Sequence, residues 1–352
     1  MRGSHGSWCG LEWVARFILQ RWGLAVCAVP IYRPRRLFKA MHLARGLRHL
    51  LFPGQGCVAT IGNFDGVHLG HRAVIEGLAA QGRRLGLPTV VILFEPQPRE
   101  YFDPEQAPPR LSRFREKLTQ LNRLPVDEVL ALHFDRQLAD CSPEEFIQTV
   151  LVEGLRVKYL VVGDDFRFGK NRRGNFALLQ KTGASSGFDV ADTGSVQEGG
   201  ARVSSTLIRH ALASGNMADA SLFLGRPYSI IGRVCQGAKL GRQLGFPTAN
   251  IGLMRKKTPL QGVFAVTMHG VTERPLHGVA NVGSRPTVDG RRKMQLETHL
   301  FDFDGDIYGH LVEVHFHQKL REERRFQDVT ALREQIARDA EQARAYFANP
   351  HP

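Results

Sequence analysis

Apolar and polar positions change rhythm once along this chain. From Cys57 to about residue 215, β-branched and apolar runs alternate with stretches whose apolar residues recur at helical spacing. Val58-Ala59-Thr60-Ile61 predicts a strand, Gly62 to Gly66 a loop, and Ala73 to Leu85 an amphipathic helix. Thr89 to Phe94 is a continuous apolar run, as in a strand buried on both faces of a parallel sheet. The cycle repeats with a helix over Ser112–Leu124, a strand over Val129–Phe134, a helix from Ser142-Pro143-Glu144-Glu145 to Gly154, and a strand over Lys158–Val162. The Ser142 helix start reads as a capping box with proline at the first helical position. Alternation of this kind predicts a doubly wound α/β domain. After Gly225-Arg226-Pro227, short alternating runs take over at Ser229–Cys235, Gly262–Met268, His277–Val282, Met294–Leu300 and His310–His317. They predict an antiparallel barrel or sandwich, closed by a terminal helix from Asp328 to about Phe347. The expected division is an appendage over 1–40, an α/β domain over 41–218 and a β domain over 219–352.

Composition narrows the function classes. The 352 residues are 43% hydrophobic and 23% charged, ordinary globular usage, which excludes disorder and collagen. Cys9, Cys27, Cys57, Cys141 and Cys235 form neither a C-x-x-C pair nor a dense disulfide framework, so a reducing, cytoplasmic location is expected. The net charge of +13 is concentrated in residues 1–56, where nine Lys or Arg stand against Glu12. The remaining excess is weak, so small phosphates are the expected partners and nucleic acid is not required. Gly23 to Tyr32 is the longest uncharged piece of the early apolar stretch, too short to span a bilayer, and no membrane partner is expected. Tyr32-Arg33-Pro34-Arg35-Arg36 is a poor cleavage region, residues 1–7 look partly like an expression leader, and Met41 is an alternative start. Residues 1–40 are therefore read as an appendage without a catalytic role.

The strongest local signal is Gly62-Asn63-Phe64-Asp65-Gly66-Val67-His68-Leu69-Gly70-His71, where the first strand hands over to the first helix. Free amides and the positive helix end make this a phosphate site, with Gly62, Phe64 and Gly66 in its loop. His68 and His71 are spaced to reach the same triphosphate and donate to its oxygens. Three other patterns mislead. Gly163 to Asn171 resembles a Walker A loop with one residue too many and no hydroxyl after its lysine. Gly54-Gln55-Gly56 precedes its strand, whereas a dinucleotide fingerprint follows it. Asp302, Asp304, Asp306 and Glu313 have EF-hand spacing but Ile307 where the loop needs glycine.

On the strength of the H-x-G-H run the chain resembles the bacterial bifunctional riboflavin kinase/FAD synthetase family. That resemblance implies an N-terminal Rossmann-like nucleotidyltransferase domain and a C-terminal six-stranded riboflavin kinase-like antiparallel barrel with a terminal helix. Phe94-Glu95-Pro96-Gln97-Pro98-Arg99-Glu100-Tyr101-Phe102 is similar to the family's flavin-side loop, which implies flavin contacts from Glu95, Pro96 and Arg99 and aromatics placed to stack on an isoalloxazine. Gly163-Asp164-Asp165-Phe166-Arg167-Phe168-Gly169 resembles its nucleotide loop, where Asp165 would accept from a nucleoside or else cap a turn. Arg202-Val203-Ser204-Ser205-Thr206-Leu207-Ile208-Arg209 matches the second nucleotidyltransferase signature, implying phosphate contacts from Arg202, Ser205, Thr206 and Arg209. Gly237-Ala238-Lys239-Leu240-Gly241-Arg242 and the Pro247-Thr248-Ala249-Asn250 motif resemble the kinase glycine loop. Gly237, Gly241 and Arg242 would then line ATP, with Thr248 and Asn250 on Mg²⁺. Glu297 matches the family's catalytic carboxylate, and Arg324, Arg325 and Phe326 resemble the border of its flavin pocket.

The resemblance implies riboflavin, FMN and ATP as substrates, Mg²⁺ as cofactor, and a monomer or weak homo-oligomer. Two alternatives stay open at this stage: a kinase whose N-terminal domain has lost transfer activity, and a flavin- or nucleic-acid-binding regulator.

Overall fold

A computed structural model describes residues 41–193, 203–237, 241, 244–255, 257–286 and 292–349. The 1–40 appendage, Arg202 and Arg242 lie outside the described residues.

Strands β1 (His42–Arg45), β2 (Cys57–Ile61), β3 (Thr89–Glu95), β4 (Glu128–His133), β5 (Val157–Val162) and β6 (Asp189–Asp192) pair in parallel in the order β1-β4-β3-β2-β5-β6. Chain order runs outward from β2 to β3 and β4 on one side and to β5 and β6 on the other. The direction of winding therefore reverses beside β2, and the crevice at its carboxyl end is where such sheets bind ligands. The continuous apolar runs explain the arrangement: Val90 to Leu93 and Val58 to Ile61 are all buried.

Helix α1 (Leu69–Leu85) begins four residues before the predicted start, because His68 caps it and the polar His71 and Arg72 blur its apolar period. Helix α2 (Phe114–Leu121) is shorter than the predicted Ser112–Leu124; the Glu116 carboxylate accepts from the Arg113 amide at 2.6 Å and fixes its first turn. The Ser142 cap forms, its Oγ accepting from the Glu145 amide at 3.1 Å. After Pro143–Phe146 the helix loosens into a π-helical stretch over Ile147–Gly154. Helices α3 (Ser205–Ser214) and α4 (Met217–Leu224) follow.

Strands β7 (Tyr228–Cys235), β8 (Thr248–Gly252), β9 (Gly262–His269), β10 (Leu276–Pro286), β11 (Arg292–Leu300) and β12 (Leu311–Arg321) close into an antiparallel barrel ordered β10-β11-β8-β7-β12-β9. Five were legible as alternating runs. The sixth, β8, is built from the Thr-Ala-Asn of the predicted loop motif, so that motif stands on a strand. β1 and β6 are four-residue edge strands whose patterns are too short to signal. Phe264, Val266, Met268, Leu296, Val314 and Phe316 fill the barrel interior. Helix α5 (Val329–Ala348), capped by Asp328, packs Ala340 and Ala343 on the outward Val263, Ala265 and Val279. Among the described residues no helix is long and apolar enough to cross a membrane.

The two halves share buried surface. Ile208, Ala211 and Leu212 of α3, with Met217, Ala220 and Leu224 of α4, belong to the same apolar cluster as the barrel interior. Beside them, Glu116 of α2 accepts from the Ile231 amide at 2.9 Å and from Arg255 at 2.7 and 2.9 Å, both side chains 5% exposed. The Tyr228 hydroxyl, whose pKa burial pushes up to about 12, donates to the Leu111 carbonyl and accepts from Arg255.

Candidate active sites

The loop after β2 is held from several directions. Phe64 and Val67 take positive φ values of 45° and 44°, a conformation that side chains resist unless packing enforces it. Enforcement centres on Asp65, 2% exposed, whose carboxylate accepts from the Leu111 and Ser112 amides at 3.0 Å each and from Arg209 Nη2 at 2.5 Å. The Ser205 hydroxyl donates to the Asp65 carbonyl at 3.0 Å, and Arg226 donates to the Gly66 and Val67 carbonyls. Gly66 is obligatory on two grounds: φ is 82°, and a Cβ would stand 2.9 Å from Leu111 Cδ1. A Cβ on Gly62 would press on the Phe64 ring at 3.1 Å.

His68 is the N-cap of α1, its Nδ1 accepting from the His71 amide at 3.3 Å. That bond puts the ring proton on Nε2, leaving one donor free. The two imidazoles stack with centroids 3.6 Å apart. A Cβ on Gly70 would meet the His68 ring at 3.3 Å, which explains the glycine within H-x-G-H. Burial takes the His68 pKa down to about 4; Asp65 opposes the shift, while Arg226 and Arg209 add to it. Burial, His68 and Lys117 hold His71 well below its ordinary value. Both shifts favour the neutral imidazoles, whose N–H groups are donors. His71 keeps partial exposure while its Nδ1 is buried without a partner.

Sequence reasoning missed Lys117, which is wholly buried on α2 without a hydrogen-bond partner and lies within electrostatic reach of Asp65, Glu95 and Glu100. A lysine in an amphipathic helix normally reads as solvated, so nothing in the pattern marked it. Of the second signature, Ser205 and Arg209 are engaged with Asp65, and Thr206 is exposed at the start of α3.

A cavity of about 420 Å³ opens at the carboxyl edge between the loops after β3 and β5. Phe94, Phe102, Phe134, Phe146 and Phe168 line it, with Arg99, Arg167 and Arg172. Of the predicted flavin-side residues, Arg99 reaches this wall. Glu95 precedes a cis bond to Pro96, and neither residue lines the cavity; the Glu95 carboxylate is bound by Arg110 at 2.8 and 3.1 Å. Asp165 is exposed on the loop after β5 and does not line the cavity, whereas Phe168 and Gly169 of the same loop do.

A second cavity, about 320 Å³, lies on the barrel's outer face beneath α5. Register places Asn250 of β8, Glu297 of β11 and Asn281 of β10 in one row across three strands, so their side chains share a face. Glu297, Asn281, Thr248, Gly241, Arg324 and Phe326 all line this cavity. The Arg324 guanidinium lies 5.1 Å from the Phe326 ring centroid, while Arg325 is exposed and does not line the wall. Asn250, 9% exposed, accepts through Oδ1 from Gln295 Nε2. The glycine loop lies against this pair of residues: a Cβ on Gly237 would stand 2.2 Å from Asn250 Nδ2, and one on Gly241 3.0 Å from Thr248 Oγ1. Among the described residues no group of three or more His, Cys, Asp or Glu is arranged for a metal. The Thr248 hydroxyl and Asn250 amide oxygen instead suit a hard ion that takes few protein ligands and completes its shell with phosphate and water.

Fold and sites together define a two-module, ATP-using phosphotransfer protein: an H-x-G-H nucleotidyltransferase sheet joined to a glycine-loop barrel with a carboxylate. Comparison with known proteins agrees. Residues 53–207 match the FAD synthetase family model and residues 224–347 the riboflavin kinase model. The bifunctional riboflavin kinase/FMN adenylyltransferase of Escherichia coli K12 is 52% identical over 313 residues, covering 89% of this chain and 100% of that protein. Its counterpart in Pseudomonas fluorescens is 49% identical over 308 residues, covering 88% and 98%. A solved structure described as a macrolide-efflux protein from Streptococcus pneumoniae superposes with a TM-score of 0.70 at 28% identity, covering 87% of this chain and 99% of that one. The chain belongs to the bifunctional riboflavin kinase/FMN adenylyltransferase family.

Proposed function

We propose that this chain builds flavin coenzymes in two steps at two separate clefts, with residues 41–218 as the adenylyl-transfer module and 219–352 as the kinase module. The observation that carries this reading is the separation of the sites: the stacked histidines stand at a sheet edge, and Glu297 stands in its own cavity on the barrel.

In the barrel, Glu297 takes the proton of the riboflavin 5′-hydroxyl as that oxygen attacks the γ-phosphorus of ATP, giving FMN and ADP. The Gly237–Gly241 loop and Arg242 cradle the phosphates. Thr248 and Asn250 would hold Mg²⁺, which neutralises charge on the transferring group when bound. Phe326 and Arg324 border the flavin end. In the α/β module, the FMN phosphate attacks the α-phosphorus of ATP and pyrophosphate leaves, again with Mg²⁺ and without a covalent enzyme intermediate. The Gly62 and Gly66 amides are spent on the Ile92 carbonyl and the Ser112 hydroxyl, at 3.2 and 2.9 Å, so the loop amides between them, N–H groups of His68 and His71, and Arg202 steady the departing charge. Ser205, Thr206 and Arg209 support them, the first and last by holding Asp65 and hence the loop. The phenylalanine-lined cavity takes the isoalloxazine ring, with Arg99 at its rim and Glu95 and Pro96 shaping the approach. Asp165 stands at the nucleotide side, and Arg325 on the surface beside the kinase cavity. The enzyme acts in the cytoplasm on small molecules, as a monomer or weak homo-oligomer, without a nucleic-acid or membrane partner.

Anion-exchange separation of the products of riboflavin and Mg·ATP tests the assignment. The unaltered chain yields FMN and FAD; His71→Ala stops at FMN; Glu297→Ala makes FAD only from supplied FMN. Loss of both activities in either folded variant would refute separate sites.

A further inference from the structure

Among the described residues that line the kinase cavity, one buried side-chain oxygen has no hydrogen-bond partner. Asn281 stands on β10 directly opposite Glu297. Its Oδ1 is buried and has no hydrogen-bond partner, although the residue lines the cavity wall. Buried amide oxygens are nearly always paired, so an orphan facing a cavity points to a donor brought by the ligand.

Position and chemistry select which part of the ligand. Asn281 flanks Glu297 on the side away from Asn250, Thr248 and the glycine loop, where ATP phosphates are expected. On its own side the wall carries apolar Val263, Val279, Leu332 and Ile336 beside the mutually paired Arg321 and Asp339 and the Glu323 carboxylate. A carbonyl oxygen accepts from a hydroxyl and repels a phosphate oxygen. Between an apolar ring seat and the carboxylate that deprotonates the terminal hydroxyl lies the polyol chain that joins them.

We infer that Asn281 is a riboflavin-binding residue, its Oδ1 accepting a hydrogen bond from a ribityl hydroxyl and so placing the 5′-oxygen before Glu297. This rests on reading the barrel cavity as the riboflavin site, which the Glu297→Ala variant tests separately.

The test compares riboflavin with lumiflavin, which has the same ring system without the ribityl chain. Asn281→Ala is expected to raise the kinase KM for riboflavin about tenfold, the weight of one hydrogen bond. The inhibition constant of lumiflavin and the KM for ATP should stay within twofold, and FAD synthesis from supplied FMN should be unchanged. An unchanged riboflavin KM, a parallel rise for lumiflavin, or a rise confined to ATP would each overturn the inference. If the alanine variant loses FAD synthesis as well, Asn281→Asp decides: it keeps an acceptor oxygen, so a riboflavin KM within about threefold of the unaltered enzyme supports the assignment, and a tenfold rise overturns it.

Discussion

Glu116→Ala probes what holds the two modules in register. Its carboxylate receives four hydrogen bonds, from the Arg113 and Ile231 amides and two from Arg255, with both acid and guanidinium 5% exposed. Truncation leaves the Arg255 guanidinium buried with Tyr228 as its remaining partner among the described residues, removes the Arg113 ion pair at 3.5 Å, and leaves a buried amide of β7 without its side-chain acceptor. Stranding one member of a buried pair costs about 3–5 kcal/mol. In a chain of this size that corresponds to a fall in unfolding midpoint of about 4–7 °C. Differential scanning calorimetry of Glu116→Ala, Arg255→Met and the double variant measures it. The two losses should be strongly non-additive, with a coupling energy above about 2 kcal/mol, because the second substitution removes the stranded charge. A midpoint within about 2 °C of the unaltered chain, or additive losses, would show that solvent already reaches this pair and that apolar packing alone joins the modules.

Further outcomes follow from single residues. Gly237→Ala drives a methyl group into Asn250 at 2.2 Å; riboflavin phosphorylation should fall by more than tenfold in a product assay while adenylyl transfer from supplied FMN persists. Phe134→Ala removes a ring from the phenylalanine-lined cavity and should raise the KM for FMN about tenfold, with ATP unaffected. His68 is neutral in the folded chain, with its pKa down to about 4, but takes its proton near 6.5 when unfolded. The unfolded state thus binds more protons between those values. Stability should fall as pH drops from about 6.5 to about 4, by on the order of 3 kcal/mol from this residue, and denaturant titrations of His68→Gln should show a shallower slope.

The candidate residues that could be named in advance lie in contiguous runs. Alternating strand and helix patterns specified the α/β class, and H-x-G-H at a strand-to-helix junction pointed to the crevice at the end of β2. What escaped were features made by distant segments. Arg209 reads as a phosphate ligand in its motif, yet its guanidinium meets Asp65, 144 residues away. Lys117 and Glu116 are neighbours on one helix, one sealed beside the histidines and the other bound to the barrel, and no periodicity announces either. The aromatic cavity adds Phe134 and Phe146, which read locally as ordinary core, to Phe102 and Phe168 from the two loops singled out by resemblance. Arg324 lines the kinase cavity and its neighbour Arg325 does not, a distinction that an irregular run between β12 and α5 does not encode.

Helix α3 serves both halves at once: Ser205 and Arg209 secure the histidine loop, while Ile208, Ala211 and Leu212 lie among the barrel's interior residues. Dividing the gene before this helix would give a kinase fragment its full hydrophobic complement but leave the other fragment with a slack loop. Dividing it afterwards would reverse the injury. Either cut spares one activity at the expense of the other, and keeping both as separate chains would need new residues to take over the lost half of that helix's work.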